Sequence, residues 1–147
     1  MTSDEVLARV PIFIGLSPEQ LKTLSRLVAQ RTFPRGTVII REGDESDASL
    51  YIILKGQVDV TKQGGDGQPD IKFATLSEGD FFGEMALLDG APRSATVTAA
   101  TATETLLLSR WVFYTTLRSE PEIAVAMLPT LSKRIRDAED VTRALLM

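Results

Sequence analysis

The sequence predicts an α+β fold in which helices at both ends of the chain flank a compact antiparallel β barrel or jelly roll. Apolar residues recur at helical spacing in the first 30 residues and again from residue 109 onward. Between these stretches, short apolar or alternating segments follow one another closely, with glycine-rich turns between them, as in barrels and sandwiches. We interpret residues 1–147 as a single domain with N-terminal helices (1–30), a β region (31–108) and C-terminal helices (109–147).

Two helix starts are predicted near the N-terminus. A short helix over residues 4–9 is expected to end near Pro11. A second helix begins after Ser17, which is the predicted N-cap, with Pro18 at the first helical position and Gln20 completing a capping box. Its apolar face comprises Leu21, Leu24, Leu27 and Val28.

The predicted strands occupy the middle of the chain. They cover residues 37–40, 49–54, 57–61, 71–76, 95–98 and 103–108. The segment 63–69 is rich in Gly, Asp and Pro and is predicted to be the tip of a hairpin.

Two helices are predicted after the strands. The first covers residues 110–118, and the second opens at Glu120-Pro121-Glu122 and can run to Leu146. Pro129 is expected to perturb the second helix unless it lies in the first turns of a new start. This helix carries one apolar stripe: Leu128, Leu131, Ile135, Ala138, Thr142 and Leu145. The stripe either packs on the barrel or forms the short seam of a homodimer.

Composition excludes several classes of function. The chain has no Cys and no His, so disulfides, thiol chemistry, His-based triads and most zinc, iron and copper sites are excluded. We therefore expect no metal, no cofactor and no enzymatic activity. The net charge of −4 argues against a nucleic-acid partner. Without a long apolar run or a signal pattern, the chain is expected to be cytoplasmic and not inserted in a membrane.

The residues most suggestive of chemistry lie in the segment 82–97. Gly83 allows the backbone to approach a ligand closely, and the helix formers after it expose the N–H groups of Glu84, Met85 and Ala86, which favour an anion. Arg93 follows, and its planar guanidinium matches phosphate oxygens. A carboxylate such as that of Glu84 accepts hydrogen bonds and suits a sugar hydroxyl rather than a phosphate. The segment predicts a ligand with one phosphate close to a free sugar hydroxyl.

The stretches Phe82-Gly83-Glu84-Met85-Ala86-Leu87 and Arg93-Ser94-Ala95 resemble the phosphate-binding cassette of the cyclic-nucleotide-binding family. That family includes the bacterial catabolite activator, the regulatory subunits of cAMP-dependent protein kinase and cyclic-nucleotide-gated channels. The resemblance implies an eight-stranded antiparallel β jelly-roll barrel with a short phosphate-binding helix inserted. It also implies that the ligand is a cyclic nucleotide.

The resemblance assigns roles within the cassette. Arg93 is expected to pair with an exocyclic phosphate oxygen, and Glu84 to accept the ribose 2′-hydroxyl with help from the Gly83 N–H. The phosphate cage is completed by the N–H of Ala86, by Ser94 and by Ala95. Family members that prefer cGMP often have threonine in place of Ser94, so cAMP is favoured over cGMP.

The base contacts are implied less directly. The residues expected to line the base are Val60, Phe73 and Ala74. In the catabolite activator, hydroxyl residues on the last helix reach the base, but Ala138 and Glu139 stand at the matching places here. As in channels and kinases, an apolar lid is expected instead, formed by Ile135, Ala138 or Val141.

An earlier family signature is matched by Gly43-Asp44 and by Leu50–Gly56, with one departure. Ser46 stands where a small residue, often glycine, is expected, and the segment before Leu50 is one residue longer. We expect a different turn there, far from the phosphate and with little effect on binding.

These features predict a cyclic-nucleotide sensor or regulatory domain. Ligand binding is expected to reposition the C-terminal helix, which then acts on a protein partner or an attached effector domain. The alternative is a truncated cAMP-responsive transcription regulator that lacks its DNA-binding domain, since the chain ends at Met147 without a helix-turn-helix.

Overall fold

The computed structural model of the chain describes residues 2–147. They fall into two compact units. One unit, Leu27–Phe113, holds the strands, and the other joins the segment up to Arg26 with Tyr114–Met147 and is helical. Within the described residues, no helix combines the length and the apolar character needed to cross a bilayer.

The strand unit contains eight short strands in two sheets. The strands are β1 (Ala29–Phe33), β2 (Val38–Ile40), β3 (Leu50–Lys55), β4 (Val58–Lys62), β5 (Ile71–Leu76), β6 (Phe81–Phe82), β7 (Thr96–Ala99) and β8 (Thr103–Leu108). The first sheet has the order β1-β8-β3-β6 and the second the order β2-β7-β4-β5, with antiparallel pairing throughout. The predicted antiparallel jelly roll is confirmed.

The expected closed barrel is corrected to two separate sheets. A closed barrel needs hydrogen bonds between the edges of the sheets. Among residues 2–147, the edge strands β1, β6, β2 and β5 each pair on one side only. Both sheets contribute side chains to one hydrophobic cluster, formed by Ile40, Tyr51, Ile53, Val58, Val60, Phe82, Ala95 and Val97.

The β region begins earlier than expected. β1 starts at Ala29, inside the stretch 1–30 that was predicted to be helical. Its residues are mostly polar and exposed, so it lacks the alternation that reveals a half-buried strand. Its residues instead pair with β8, from Ala29 opposite Leu107 to Phe33 opposite Thr103. The bounds of β8 agree with the prediction.

One short helix interrupts the strands. It is α3 (Glu84–Asp89), between β6 and β7, and it confirms the predicted helix inserted in the segment 82–97. Glycines in the left-handed conformation flank it on both sides, Gly83 with a φ of 89° and Gly90 with a φ of 69°. They allow the chain to turn sharply into and out of six helical residues.

The helical unit begins with α1 (Ser3–Leu7), a 3₁₀ turn (Pro11–Phe13) and α2 (Pro18–Ser25). The predicted capping box is confirmed, because the Gln20 N–H donates to Ser17 Oγ at 3.2 Å and the Ser17 N–H donates to Gln20 Oε1 at 2.9 Å. After the strands come α4 (Arg110–Ser119), which continues from one unit into the other, and α5 (Glu122–Leu146).

Helix α5 is 25 residues long and continues through Pro129 without a break. Its first turns bury Ile123 and Met127. Most of the predicted apolar stripe farther along is exposed, including Ile135 at 63% and Leu145 at 82%. Packing of this stripe on the strands and the homodimer seam both stay predictions.

Candidate ligand-binding site

A cavity of about 490 Å³ lies in the strand unit, which is a volume typical of small-molecule sites. It is lined on one side by α3 and the segment after it, and on the other by residues of β4 and β5. Every site residue predicted within the strand region lines it: Val60, Phe73, Ala74, Gly83, Glu84, Met85, Ala86, Arg93, Ser94 and Ala95. The structure therefore brings these residues together, while their contacts with a ligand remain predictions.

At Gly83, where the chain enters α3, the backbone lies very close to Ser49 and Arg93. Phe82 is buried and pairs with Tyr51 across the β3–β6 ladder, so the position of the residue after it is fixed. A Cβ added to Gly83 would lie 2.6 Å from the Ser49 carbonyl oxygen and 2.6 Å from Arg93 Nη1. Only glycine fits there, and its φ of 89° adds a second requirement. The start of α3 is thereby held against the arginine.

Arg93 is the most buried charged group of the site, with 4% of its surface exposed. Nη2 donates to the Ser49 carbonyl oxygen at 2.8 Å and lies 3.7 Å from Asp47 Oδ2. Nε and Nη1 are buried and have no hydrogen-bond partner within residues 2–147. A buried cation with unsatisfied donors is costly in free energy. An anion that enters the cavity beside Arg93 would relieve that cost.

The segment between β2 and β3 lies directly against Arg93. The Gly43 N–H donates to the Arg93 carbonyl at 2.8 Å, and the Arg93 N–H donates to the Asp44 carbonyl at 3.0 Å. This corrects the expectation that the turn around Ser46 lies far from the phosphate site. The reason is topological: β2 pairs antiparallel with β7, so the loop that leaves β2 meets the residues that lead into β7.

A polar network extends from this loop into the core. Asp47 Oδ2 accepts a 2.8 Å hydrogen bond from the Tyr51 hydroxyl, and Asp47 Oδ1 accepts one of 3.1 Å from the Ser49 N–H. Burial, together with the hydrogen bond to Asp47 and the charge of Asp47, raises the pKa of Tyr51 well above its ordinary value. Tyr51 therefore stays protonated, and its hydroxyl donates the hydrogen bond to Asp47. These hydrogen bonds were not predicted from the sequence. The one feature of the sequence that indicates them is a tyrosine in an apolar strand, because a buried hydroxyl needs a hydrogen-bond partner.

The opposite end of the cavity is apolar and more open. Val60 pairs with Ala74 across the β4–β5 ladder, and the register then shifts so that Phe73 is an extra residue on β5. Strict alternation would direct Phe73 and Ala74 to opposite faces, whereas this β-bulge lets both line the cavity. The Phe73 side chain remains half-exposed, and Lys62 Nζ lies 5.8 Å from its ring centroid.

Several lining residues were not predicted. They include Ile40, Leu76, Phe81, Asp89 and Val97. Ile40, Leu76 and Val97 belong to strands that were predicted, so the inward face of those strands was the available signal. The predicted lid residues Ile135, Ala138 and Val141 are exposed on α5, in the helical unit, and the lid stays a prediction. Among residues 2–147, no group of acidic side chains is arranged to hold a metal ion.

A two-sheet jelly roll with an inserted short helix and a buried, incompletely paired arginine beside a cavity is an arrangement suited to a small anionic ligand. The family model of the cyclic nucleotide-binding domain matches residues 30–120. The chain belongs to this family.

Proteins of known type show the same relationship. A CRP-like cAMP-activated global transcriptional regulator of Mycobacterium tuberculosis is 32% identical over 90% of this chain and 58% of its own length. A cyclic nucleotide-gated potassium channel of Mesorhizobium japonicum is 38% identical over 88% of this chain and 34% of its own length. The crystal structure of the N-terminal domain of a transcriptional regulator from Streptomyces coelicolor A3(2) superposes with a TM-score of 0.83 at 32% identity, covering 93% of this chain and 94% of that one. The chain thus spans little more than half of the regulator, and these relatives are regulators and channels rather than enzymes.

Proposed function

We propose that this chain binds a cyclic nucleotide in the 490 Å³ cavity and prefers cAMP to cGMP. The observation that carries the proposal is Arg93, which is buried at the cavity with Nε and Nη1 unpartnered among the described residues. A cyclic phosphate brings one negative charge and oxygen acceptors to these donors. Charge-assisted hydrogen bonds of this kind are about twice as strong as neutral ones.

The remaining lining residues suit the rest of such a ligand. Glu84, in the first turn of α3, would accept the ribose hydroxyl, while Ala86, Ser94 and Ala95 would complete the phosphate cage. The apolar end of the cavity would take the base. The preference for cAMP rests on serine rather than threonine at position 94, and on the similarity to a regulator whose name describes it as cAMP-activated.

We further propose that the bound state is signalled through α5. A ligand shifts a helix only by binding one of its arrangements more tightly than the other. The exposed Ile135 and Val141, both above 60% accessible, with exposed Ala138 between them, offer an apolar face for a lid, a partner protein or an attached effector domain.

A second candidate is the sensory part of a cAMP-responsive transcription regulator. It is favoured by the 32% identity both to the Mycobacterium tuberculosis regulator and to the Streptomyces coelicolor regulator domain. Binding of cAMP is common to both candidates. They differ in what α5 acts on.

Isothermal titration calorimetry with cAMP, cGMP and linear 5′-AMP tests the proposal. The expected order of affinity is cAMP, then cGMP, with 5′-AMP weakest because its phosphate is dianionic and not held beside the ribose. Absence of binding for both cyclic nucleotides would overturn the function. Equal affinity for cAMP and cGMP would overturn only the preference.

A further inference from the structure

Met85 lines the ligand cavity, yet most of its side chain is open to solvent. It is the second residue of α3, between Glu84 and the buried Ala86. Ala86 and Leu87 bury their side chains, whereas 59% of Met85 is exposed. A thioether therefore stands in the wall of the cavity, where small solutes can reach its sulfur.

The other methionines within residues 2–147 differ from Met85 in exposure or in place. Met127 is 3% exposed in the first turns of α5, whereas Met147 is fully exposed at the C-terminus, and neither lines the cavity. The chain has no cysteine, so no thiol competes with methionine sulfur for an oxidant. Met85 is the described methionine that combines an accessible sulfur with a place in the ligand site.

We propose that Met85 is an oxidant-sensitive residue of this site, and that its conversion to methionine sulfoxide by hydrogen peroxide lowers the affinity for the cyclic nucleotide. This inference rests on the proposed function and adds a modification through which peroxide would regulate ligand binding. The Sδ lone pair attacks one peroxide oxygen, and an S–O bond forms as the O–O bond breaks. The departing hydroxide takes the proton of the transferred oxygen and leaves as water. Sulfur loses two electrons, and the peroxide gains them.

The sulfoxide changes the chemistry of the cavity wall. The thioether is apolar and flexible and can pack on a ligand, whereas the sulfoxide is polar and its oxygen accepts hydrogen bonds. The exocyclic oxygens of a cyclic phosphate are also acceptors, so burial of the sulfoxide oxygen beside them costs free energy. The new oxygen is, in addition, a competing acceptor in the cavity that Arg93 lines with Nε and Nη1 unsatisfied within the described residues.

Oxidation of Met85 should leave the fold intact. The buried side chains of α3 are those of Ala86 and Leu87, and the glycines at both ends of the helix set its turns. The Met85 side chain contributes little to the core because it is mostly exposed. The effect of the sulfoxide is therefore expected on the ligand rather than on the free energy of unfolding.

The first test treats the purified chain with hydrogen peroxide, with and without saturating cAMP, and follows Met85, Met127 and Met147 by peptide mass spectrometry. Met85 should be oxidised much faster than Met127. Bound cAMP should slow the oxidation of Met85 several-fold, because the ligand covers it, and leave the oxidation of Met147 unchanged.

The second test measures binding before and after oxidation. Calorimetry should show cAMP affinity reduced roughly tenfold in the oxidised chain. Treatment with both methionine sulfoxide reductases, one for each epimer of the sulfoxide, should restore it. Circular dichroism verifies that the oxidised chain stays folded.

Two variants at position 85 isolate the role of this sulfur. Met85→Leu keeps an apolar side chain of similar volume that peroxide does not oxidise, so its own cAMP affinity should be the same before and after treatment. Met85→Gln introduces a polar amide and should reduce affinity without any oxidant. Met147→Leu is the matched control, because it removes an exposed sulfur outside the cavity and should retain the full loss on oxidation.

Unchanged cAMP affinity after oxidation of Met85 would overturn the proposal, as would a rate of Met85 oxidation no higher than that of Met127. An equal loss of affinity in Met85→Leu and in the wild type would also overturn it, because the damage would then lie elsewhere in the chain. Failure of the untreated wild-type chain to bind cAMP and cGMP would instead refute the proposed function.

Discussion

The two ends of the cavity are built in different ways. At the end proposed to bind the phosphate, Arg93 is 4% exposed and is held by hydrogen bonds of its backbone and its side chain to the loop between β2 and β3. At the end proposed to take the base, Phe73 is 54% exposed and lies on a β-bulge, with Lys62 near its ring. Rigid, preorganised groups lose little freedom on binding, whereas mobile apolar groups adapt. The phosphate end should therefore determine affinity, and the base end should adjust selectivity.

The largest expected effect is that of Arg93→Ala. It would leave the phosphate charge without its main partner, and removal of one member of a buried pair costs about 3–5 kcal/mol. We expect cAMP affinity to fall by roughly two to three orders of magnitude. Calorimetry measures the loss, and circular dichroism verifies the fold.

Arg35→Ala is the control for this substitution, because Arg35 is exposed in the turn between β1 and β2. It should bind like the wild type. Near-wild-type affinity in Arg93→Ala would refute the assignment of the phosphate site. It would also remove the basis for distinguishing the two ends of the cavity.

Gly83→Ala should have the next largest effect. The new Cβ would lie 2.6 Å from the Ser49 carbonyl oxygen and 2.6 Å from Arg93 Nη1, at a φ of 89°. The left-handed backbone alone costs an alanine about 1–2 kcal/mol, and the contact must also displace Arg93 or the Ser49 peptide. We expect a loss of roughly thirtyfold in cAMP affinity, together with a lower free energy of unfolding in chemical denaturation.

Gly36→Ala separates the effect of backbone strain from the effect of contact with Arg93 and Ser49. Gly36 has a similar φ of 87°, but a Cβ there would meet nothing within 4 Å. It should lower the free energy of unfolding through backbone strain and leave cAMP affinity unchanged. Equal losses of affinity in the two variants would show that strain, and not contact with the arginine, is responsible.

Glu84→Gln should weaken binding by a smaller factor, roughly fivefold. An amide oxygen still accepts the ribose hydroxyl, but the charge that strengthens the hydrogen bond is lost. The sharper readout is 2′-deoxy-cAMP, whose affinity should be nearly the same for the wild type and the variant. Glu122→Gln, in the first turn of α5, provides the control. An equal loss for both ligands would mean that Glu84 does not contact the 2′-hydroxyl.

Much of this arrangement could be predicted from local sequence. The capping box at Ser17, the bounds of β8 and the helix after Gly83 depend on neighbouring residues, and all three are confirmed. β1 escaped prediction because its exposed, polar residues pair with β8, more than 70 positions away at Arg31 and Thr105. A strand of that kind has no local signal.

The contact between Asp47 and Arg93 escaped prediction for a related reason. Asp47 and Arg93 are 46 positions apart, and only the pairing of β2 with β7 brings their segments together. The one-residue extension before Leu50 was visible in the sequence, but its place beside the arginine was not. The spacing of a motif along the chain indicates which residues face a ligand, but it does not indicate which distant residues contact them.

Phe73→Ala should have the smallest effect on cAMP affinity, and it tests the end of the cavity that lies opposite Arg93. Because Phe73 is half-exposed, loss of its ring should reduce cAMP affinity only about threefold, within the range of a single aromatic contact. The affinities for cAMP and cGMP should change by different factors. Ile71→Ala, an exposed residue of the same strand that does not line the cavity, should change neither quantity. If Phe73→Ala lowered affinity as much as Arg93→Ala, the base end would be as decisive as the phosphate end, and the division between them would be wrong.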